Sequence, residues 1–242
     1  MKKLLLATAL AALAGTAAAQ DVVRIGTEGA YEPYNYIDQA TGELTGYEIE
    51  LGNELCKRAE LKCEFVQNAW DSIIPNLQSG NYDMIMAGMS ITPERDEVID
   101  FSQNYIPPAA SAYVALSADA KIGEGAVVSA QTGTIQAGYI AESGATLLEF
   151  ATPDESVAAV KNGEADAVFA DKDYLLPIAT DSNGELVMLP NDVQLGGGVG
   201  IGLRESDTAL KDKMNAAIQS MKDDGSLNTM IKKWFGEDSV VF

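Results

Sequence analysis

Short runs of apolar residues alternate along this chain with segments in which apolar residues recur every three or four positions. The first pattern predicts strands that are buried in a sheet, and the second predicts amphipathic helices that cover it. One such helix carries Leu210, Met214, Ala217, Ile218 and Met221 on a single face. The predicted strands lie at residues 22–27, 61–67, 126–130, 147–150, 165–170 and 186–189.

Strands and helices alternate over most of the chain, and this order predicts an α/β fold in which mainly parallel sheets are flanked by helices. The segments 80–88 and 163–171 share glycine, aspartate and alanine at matched positions, and each follows an amphipathic helix. Such a repeat predicts two similar lobes. Because ligands of open α/β sheets bind at the carboxyl ends of the strands, polar residues that follow these strands are candidates for a site.

Thr92 and Pro93 predict the start of a helix, because threonine is a favourable N-cap and proline fits the first helical position. The third helical position is then Arg95, whose positive charge is unfavourable at a helix N-terminus. A cation at this position is explained if a bound anion lies beside it. The alternative is a surface arginine that forms an ion pair with Glu94 or Asp96.

The first residues have the pattern of a secretory signal peptide. Two lysines after Met1 are followed by an apolar run over 4–14 and by three small residues that end at Ala19. We therefore expect a signal peptide over 1–19, cleavage near Ala19 and a periplasmic location. No later run approaches the length of a membrane span, so we expect no membrane insertion.

Composition narrows the possible functions. The chain has 16 basic and 36 acidic residues, and its formal net charge of −20 argues against nucleic acid or an anionic membrane as a partner. It has no histidine, which excludes histidine-based catalytic triads and ordinary zinc sites, so we expect no metal. In an exported chain, the two cysteines, Cys56 and Cys63, are expected to form a disulfide without a redox role.

The glycine-rich segment 196–202 does not contain the G-x-G-x-x-G pattern of dinucleotide-binding proteins. We expect glycine here because two stretches of backbone pass close to each other. The sequence accordingly gives no indication of a cofactor, and we expect none.

Four further segments contain sequence motifs that are shared with known proteins. They are Gly-Thr-Glu-Gly-Ala-Tyr-Glu-Pro-Tyr at 26–34, Gly-Tyr-Glu-Ile-Glu-Leu at 46–51, Ala-Gly-Met-Ser-Ile-Thr-Pro-Glu-Arg at 87–95 and Ile-Asp-Phe-Ser at 99–102. The chain thereby resembles the polar amino-acid-binding proteins of ABC importers, solute-binding protein family 3. The segment Leu-Cys-Lys-Arg-Ala-Glu-Leu-Lys-Cys at 55–63 resembles the lysine/arginine/ornithine, histidine and opine binders of that family.

This resemblance covers essentially the whole mature chain and is weakest from about 118 to 160. It implies a two-lobed periplasmic binding protein of type II, in which two crossover segments join the lobes and one amino acid lies between them. Lobe 1 would comprise residues 20–109 and 196–242, and lobe 2 would comprise residues 110–195. The protein would act as a monomer that delivers its amino acid to a membrane permease.

The resemblance also implies three groups of ligand-binding residues. The groups that would hold the ligand carboxylate are Arg95 and the backbone amides of Gly88 and Ile135. The groups that would hold the ammonium are Asp171, the Ser90 hydroxyl and the Ala87 carbonyl. The side chain would lie between the aromatic walls of Tyr31 and Trp70, with Glu28, Thr134 and Gln136 near the end of the slot.

Two of these residues have simpler alternatives. Trp70, at the start of a predicted helix, is also compatible with a core position. Asp171 is also compatible with an N-cap of the helix that follows it.

The identity of the ligand rests mainly on Glu28. A carboxylate at the end of an aromatic slot favours a cationic side chain, so a basic amino acid such as arginine, lysine or ornithine is the leading interpretation. A neutral polar amino acid such as glutamine is the second, because Glu28 and Gln136 could accept from and donate to an amide. The third is that Glu28 is solvated at the rim and selects nothing.

Two other functional classes fit the same scaffold. One is a periplasmic enzyme of the dehydratase type, although without histidine Glu28 alone would have to transfer the protons. The other is the sensor domain of a membrane receptor. We expect a binding protein and not an enzyme.

Overall fold

A computed structural model describes residues 22–242. The predicted signal peptide, its cleavage site and the first two residues of predicted lobe 1 lie outside the described residues. Within the described range, no helix combines the length and the apolar character that crossing a membrane requires.

Residues 22–242 contain fourteen strands, and each strand predicted from an apolar run overlaps one of them. The strands are β1 (Val23–Thr27), β2 (Ala30–Tyr31), β3 (Asn35–Ile37), β4 (Leu44–Thr45), β5 (Cys63–Gln67), β6 (Met84–Ile85), β7 (Asp100–Ile106), β8 (Ala110–Ala115), β9 (Val127–Gln131), β10 (Thr146–Phe150), β11 (Ala167–Asp171), β12 (Val187–Met188), β13 (Val193–Gln194) and β14 (Val199–Leu203).

The same range contains eight α-helices. They are α1 (Tyr47–Arg58), α2 (Ile73–Gln78), α3 (Pro93–Asp96), α4 (Ile135–Glu142), α5 (Pro153–Lys161), α6 (Lys172–Asp181), α7 (Thr208–Asp223) and α8 (Ser226–Phe235). The predicted apolar face of α7 is buried at Met214, Ala217, Ile218 and Met221, where the helix packs on β7, α1 and α8. This burial supplies most of the stability of such a helix.

Two large open sheets have the same topology. The first has the strand order β5-β1-β6-β14-β7, and the second has the order β10-β9-β11-β8-β12, with β13 also paired to β8. In each sheet, the strand in fourth place, β14 or β8, is antiparallel to the others. Both sheets are therefore mixed but mainly parallel. The repeated segments supply β6 and β11, which both stand third, as the repeat predicts.

The chain passes between the large sheets twice, from β7 to β8 and from β13 to β14. The second passage contains the glycine-rich segment, and its backbone pairs closely with that of Ile91. The Ile91 amide donates to the Gly198 carbonyl and the Gly197 amide donates to the Ile91 carbonyl, each at 2.9 Å. A Cβ atom at Gly198 would lie 2.5 Å from the carbonyl oxygen of Ile106, the last residue of β7 before the first passage. The close backbone approach predicted for this segment is therefore present.

A disulfide joins Cys56 in α1 to Cys63 at the start of β5, with the two Cα atoms 6.2 Å apart. The predicted pairing is therefore present. It closes a short loop between the helix and the strand, and loop-closure entropy assigns such a link a stabilisation of about 2.5 kcal/mol.

Candidate functional site

A small cavity lies where strands of both large sheets end. Its lining comprises Glu28, Tyr31, Trp70, Ala87, Gly88, Ser90, Arg95, Gln131, Thr134, Ile135, Gln136 and Asp171. Eleven of these residues are the ones that the resemblance implied, so residues far apart in sequence are brought together. The remaining one, Gln131, was not predicted.

Arg95 enters the cavity from the start of α3. Thr92 is the N-cap of this helix, and its hydroxyl accepts from the Arg95 amide at 3.3 Å. The guanidinium donates to the carbonyls of Ser90 at 2.9 Å and Gly133 at 3.2 Å, and it lies 5.2 Å from the centre of the Trp70 ring. Burial lowers the pKa of Arg95 to about 10. A desolvated cation whose contacts are neutral carbonyls can still attract an anion.

The alternative interpretation of Arg95, a surface ion pair with Glu94 or Asp96, does not occur. No carboxylate of residues 22–242 lies within ion-pair distance of its guanidinium. Trp70 is likewise not an ordinary core residue, because its ring lies under the guanidinium at the cavity wall.

Asp171 is the last residue of β11 and precedes α6, but its carboxylate forms no capping hydrogen bond with that helix. Asp171 therefore occupies the N-cap position of α6, but capping does not explain its carboxylate. One carboxylate oxygen accepts from the Tyr31 hydroxyl at 2.7 Å, and the other accepts from Gln136 Nε2 at 2.9 Å. Burial is the main reason why the pKa of Asp171 is raised to about 6.

The position of Gln136 corrects the sequence analysis, which expected it near the end of the slot beside Glu28. Its Nε2 donates to Asp171 Oδ1 and to Ser111 Oγ, the second at 3.0 Å. Gln136 lies in the first turn of α4, and this helix packs against β11, which ends at Asp171. The amide therefore holds the carboxylate of Asp171.

Tyr31 contributes more than an aromatic wall. Its hydroxyl donates to Asp171 of the second sheet, and its ring stacks on Tyr174 with centroids 4.4 Å apart and planes inclined by 17°. Tyr174 lies in α6, the helix that directly follows β11 of the second sheet. The aromatic residue that follows β1 thus joins the two sheets directly, and Tyr174 is a second participant that sequence patterns did not indicate.

Glu28 follows β1 directly and is only 7% exposed. This burial contradicts the interpretation that it is solvated at the rim. Its Oε1 accepts from Gln131 Nε2 at 2.7 Å. Desolvation raises the pKa of Glu28 to about 7, the nearby carboxylates Asp154 and Asp71 act in the same direction, and the hydrogen bond from Gln131 opposes them.

Gln131 is the last residue of β9 and is 8% exposed. Its Nε2 donates to Glu28 Oε1 and to the Ala151 carbonyl at 3.1 Å. The strand predicted from the sequence ends at residue 130 and so leaves Gln131 outside it. Its place at the carboxyl end of a strand, like that of Asp171, was the signal that could have identified it.

Gly88 also requires a correction. Its amide was expected to hold a ligand carboxylate, but it donates to Glu48 Oε1 at 2.8 Å. Glu48 lies in α1, is fully buried, and also accepts from Asn35 Nδ2 at 2.7 Å and from the Tyr105 hydroxyl. Burial raises the pKa of Glu48, and these three hydrogen bonds oppose the rise. Glu48 thus fixes the loop at Gly88 from behind, and the amide is engaged within the protein.

The start of α4 borders the cavity at Thr134 and Ile135. Thr134 is the N-cap; its hydroxyl accepts from the Ala137 amide at 3.1 Å and donates to the Gln131 carbonyl at 2.7 Å. Thr134 lines the cavity as expected of a residue near the slot, and both contacts of its hydroxyl lie within the protein. The Ile135 amide occupies the first helical position, where an amide has no acceptor within its helix.

Ala87 and Ser90 flank Gly88 in the loop that follows β6, and both line the cavity. The Ser90 carbonyl accepts from Arg95, which orients this loop toward the guanidinium. The predicted contacts of the Ser90 hydroxyl and the Ala87 carbonyl with a ligand ammonium stay predictions.

The cavity therefore combines one cation with two carboxylates, placed by different strands and a helix start. In the described part of the chain, no three histidine, cysteine, aspartate or glutamate residues are grouped as a metal site would need. Hydrogen bonds to the charged form and desolvation act against each other at both carboxylates. A ligand with positive groups near Glu28 and Asp171 and a negative group near Arg95 matches this arrangement.

Comparison with known proteins adds independent information. Residues 23–237 match the family described as bacterial extracellular solute-binding proteins, family 3. A putative ABC transporter arginine-binding protein 2 of Escherichia coli is 31% identical over 97% of this chain and 99% of its own length. The octopine-binding periplasmic protein of Rhizobium meliloti is 31% identical over 98% of each chain.

A crystal structure is more similar still. It contains a periplasmic His/Glu/Gln/Arg/opine family-binding protein from Silicibacter pomeroyi in complex with lysine. That protein is 70% identical to this chain with a TM-score of 0.88, and the match covers 91% of this chain and all of the other.

Proposed function

Because the chain belongs to the bacterial extracellular solute-binding proteins of family 3, we propose that it captures an α-amino acid with a cationic side chain and delivers it to an ABC permease. The observation that carries this proposal is the set of charges in the cavity, one guanidinium and two carboxylates. Lysine and arginine carry the complementary set at neutral pH, one carboxylate and two cationic groups.

The three charges divide the roles. Arg95 pairs with the ligand carboxylate through its guanidinium fork, and the Ile135 amide donates to the same group. Asp171 pairs with the α-ammonium, assisted by the Ser90 hydroxyl and the Ala87 carbonyl. These contacts are common to all amino acids, so they supply affinity without selecting a side chain.

Selection comes from the remaining side chains. Glu28 receives the cationic end of the ligand, and the rings of Tyr31 and Trp70 pack on its aliphatic part. Burial of Glu28 supports this assignment, because an ion pair removed from water is stronger than an exposed one.

The comparisons also support an amino acid with a cationic side chain as the ligand. The Silicibacter pomeroyi protein was crystallised with lysine, and two relatives are named as arginine- and octopine-binding proteins. Identity of 70% supports transfer of the ligand class more strongly than the distant relatives do.

Capture proceeds through closure of two lobes, which we assign to residues 20–109 with 196–242 and to residues 110–195. The cavity residues themselves connect the two sheets, through the hydrogen bonds of Tyr31 to Asp171, of Gln131 to Glu28 and of Arg95 to the Gly133 carbonyl. A ligand that touches both lobes therefore favours the closed arrangement and shifts the population toward it.

We further propose that the ligand leaves unchanged. Both candidate proton-transfer groups are held by side-chain donors, Asp171 by Tyr31 and Gln136, and Glu28 by Gln131. The relatives that the chain matches are named as binding proteins. Incubation with lysine or arginine and recovery of the amino acid unaltered is the expected result.

The family implies an amino acid ligand and a membrane permease as partners. The exported protein functions outside the cytoplasm, with cleavage of its signal peptide near Ala19. A single copy contains every residue of the cavity, so a monomer suffices for binding.

A thermal-shift screen tests this proposal. The purified exported protein is unfolded, dialysed and refolded to remove any co-purified ligand, and is then scanned with each common amino acid, ornithine and octopine. A ligand at a hundred times its Kd contributes about 2.7 kcal/mol. For a chain of this size, that contribution raises the Tm by roughly 5–10 °C.

The expected result is a large shift with lysine, arginine or ornithine and small shifts with neutral and acidic amino acids. A largest shift with glutamate or aspartate would contradict the assignment of Glu28. The absence of any shift with every compound would contradict the proposed function itself.

A further inference from the structure

The end of the cavity at Glu28 is built by both sheets. Glu28 directly follows β1, Gln131 ends β9, and these strands occupy the same place, second, in their respective sheets. Gln131 Nε2 lies 2.7 Å from Glu28 Oε1, and both residues are less than a tenth exposed. A buried hydrogen bond to a carboxylate therefore crosses between the sheets at the part of the cavity that receives the ligand side chain.

A carboxamide has two N–H donors and one carbonyl acceptor. Nε2 of Gln131 directs its two hydrogen bonds to Glu28 and to the Ala151 carbonyl. The polar atom that remains on Gln131 is its oxygen, which can only accept. The Gln131 oxygen and the Glu28 carboxylate thus give this end of the cavity hydrogen-bond acceptors.

Four other donor side chains of the cavity make their hydrogen bonds away from the Glu28 carboxylate. The hydroxyl of Thr134 donates to the backbone carbonyl of Gln131, and the Tyr31 hydroxyl donates to Asp171. The amide of Gln136 donates to Asp171 and Ser111. The guanidinium of Arg95 donates to the carbonyls of Ser90 and Gly133.

We propose that Gln131 is a specificity-determining residue, which makes the Glu28 end of the cavity accept only hydrogen-bond donors and so excludes carboxamide side chains. This inference rests on the proposed function and deepens it. An ammonium group with three donors or a guanidinium with five satisfies such an end completely. A glutamine side chain places its carbonyl oxygen against buried acceptors and leaves that oxygen unpaired, which is unfavourable.

Gln131 also keeps Glu28 in the form that a cation needs. Its N–H hydrogen-bonds to the carboxylate and opposes the rise in the Glu28 pKa that burial causes. Without this donor, Glu28 binds a proton more readily, and a protonated carboxyl group donates an O–H. Such an O–H can donate to the oxygen of a carboxamide. Loss of Gln131 therefore weakens the binding of cationic side chains and strengthens the binding of carboxamide side chains.

The test compares Gln131→Met with wild type and with a matched control. Methionine has nearly the same length as glutamine but lacks the amide. Gln103→Met is the control, because Gln103 also donates through Nε2 to a backbone carbonyl, that of Asn215 at 2.8 Å, and does not line the cavity. Calorimetric titrations of the refolded exported protein at pH 8 give the Kd of lysine and of glutamine for each variant.

We expect the ratio of the glutamine Kd to the lysine Kd to fall by roughly tenfold in Gln131→Met and to stay at the wild-type value in Gln103→Met. An unchanged ratio in a folded Gln131→Met protein would overturn this inference and leave the proposed function standing. Failure of the wild type to bind either amino acid would overturn both.

A double-mutant cycle separates the pair from a general packing effect. In a Glu28→Gln background, Gln131→Met should lower the ratio by much less than tenfold, because the carboxylate on which Gln131 acts is gone and only the Gln131 oxygen is removed. A tenfold fall in that background as well would overturn the inference. If Gln131→Met does not fold, Gln131→Asn replaces it, since the shorter amide cannot reach Glu28 and should give the same tenfold fall.

Discussion

The hydroxyl of Tyr31 lies 2.7 Å from a carboxylate oxygen of Asp171, and this hydrogen bond joins a residue after the first strand of one sheet to the end of a strand in the other. The amide of Asp171 also lies within 3.3 Å of the same hydroxyl. The residue that we assign to the ligand ammonium is therefore oriented by the opposite sheet. Closure of the two lobes and binding of the ligand ammonium therefore depend on the same two residues, Tyr31 and Asp171.

Tyr31→Phe tests this dependence. The substitution retains the ring that stacks on Tyr174 and removes only the hydroxyl. We expect the affinity for every amino acid ligand to fall by about ten- to a hundredfold, because a hydrogen bond to a charged group is lost in the closed state. Calorimetry measures the change, and Tyr139→Phe, at a half-exposed tyrosine outside the cavity, is the control. A loss confined to basic ligands would contradict the assignment.

Arg95→Ala should reduce binding of every amino acid by at least a hundredfold, because the ligand carboxylate is common to all of them. Loss of one partner of a desolvated ion pair costs roughly 3–5 kcal/mol. The ligand-free protein should remain folded, since Arg95 has no carboxylate partner to lose within residues 22–242. Arg58→Ala, which removes a guanidinium paired with Glu54 and Asp224, is the control. Affinity near that of wild type would contradict the role of Arg95.

Glu28→Gln should change how stability depends on pH. The carboxyl group has a pKa of about 7 in the folded protein against an ordinary value of 4.5, so the folded state binds more protons between these values. The free energy of unfolding therefore falls as the pH rises from about 4.5 to about 7. Glutamine removes this dependence. The Tm of the ligand-free variant should therefore rise relative to that of wild type as the pH increases from about 4.5 to about 7.

The gain is at most about 3 kcal/mol at pH 8. Asp171, whose pKa is also raised, is present in both proteins and does not affect their difference. Glu149→Gln, at an exposed glutamate in β10, is the control. A Tm difference between Glu28→Gln and wild type that stays constant from pH 4.5 to pH 8 would show that Glu28 is hydrated in solution.

Replacement of Cys56 and Cys63 by serine should lower the Tm by roughly 5–10 °C, because the unfolded chain is no longer constrained by a link worth about 2.5 kcal/mol. The disulfide joins α1 to β5 and does not line the cavity. The order of ligand affinities should stay the same in calorimetry. A changed ligand order, or an unchanged Tm, would contradict a purely structural role.

Local sequence signals were sufficient for the residues that begin or end an element. Thr92 and Pro93 defined the start of α3 and so exposed the unusual position of Arg95. Asp171 was found because it follows a buried strand of the repeated segment. The repeat predicted two similar lobes, and β6 and β11 both stand third in sheets of the same order. Each of these inferences needs only neighbouring residues and general rules for helices and sheets.

Contacts between distant residues could not be predicted in this way. The Gly88 amide donates to Glu48, which lies 40 positions earlier, and only the packing of α1 behind the loop brings them together. The resemblance implied that Gln136 lies near Glu28, whereas the first turn of α4 directs it to Asp171. Gln131 was missed because the predicted strand ended at residue 130, and its contact with Glu28 comes from the other sheet.

The central claim is that the cavity binds an amino acid through one cation and two carboxylates, with Glu28 receiving a cationic side chain. Calorimetric titration of the refolded, ligand-free protein with lysine and with norleucine tests it most directly, because norleucine lacks only the side-chain ammonium. We predict that lysine binds at least a hundredfold more tightly, a difference of about 2.7 kcal/mol or more. Equal affinities for the two ligands, or binding of neither, would contradict the claim.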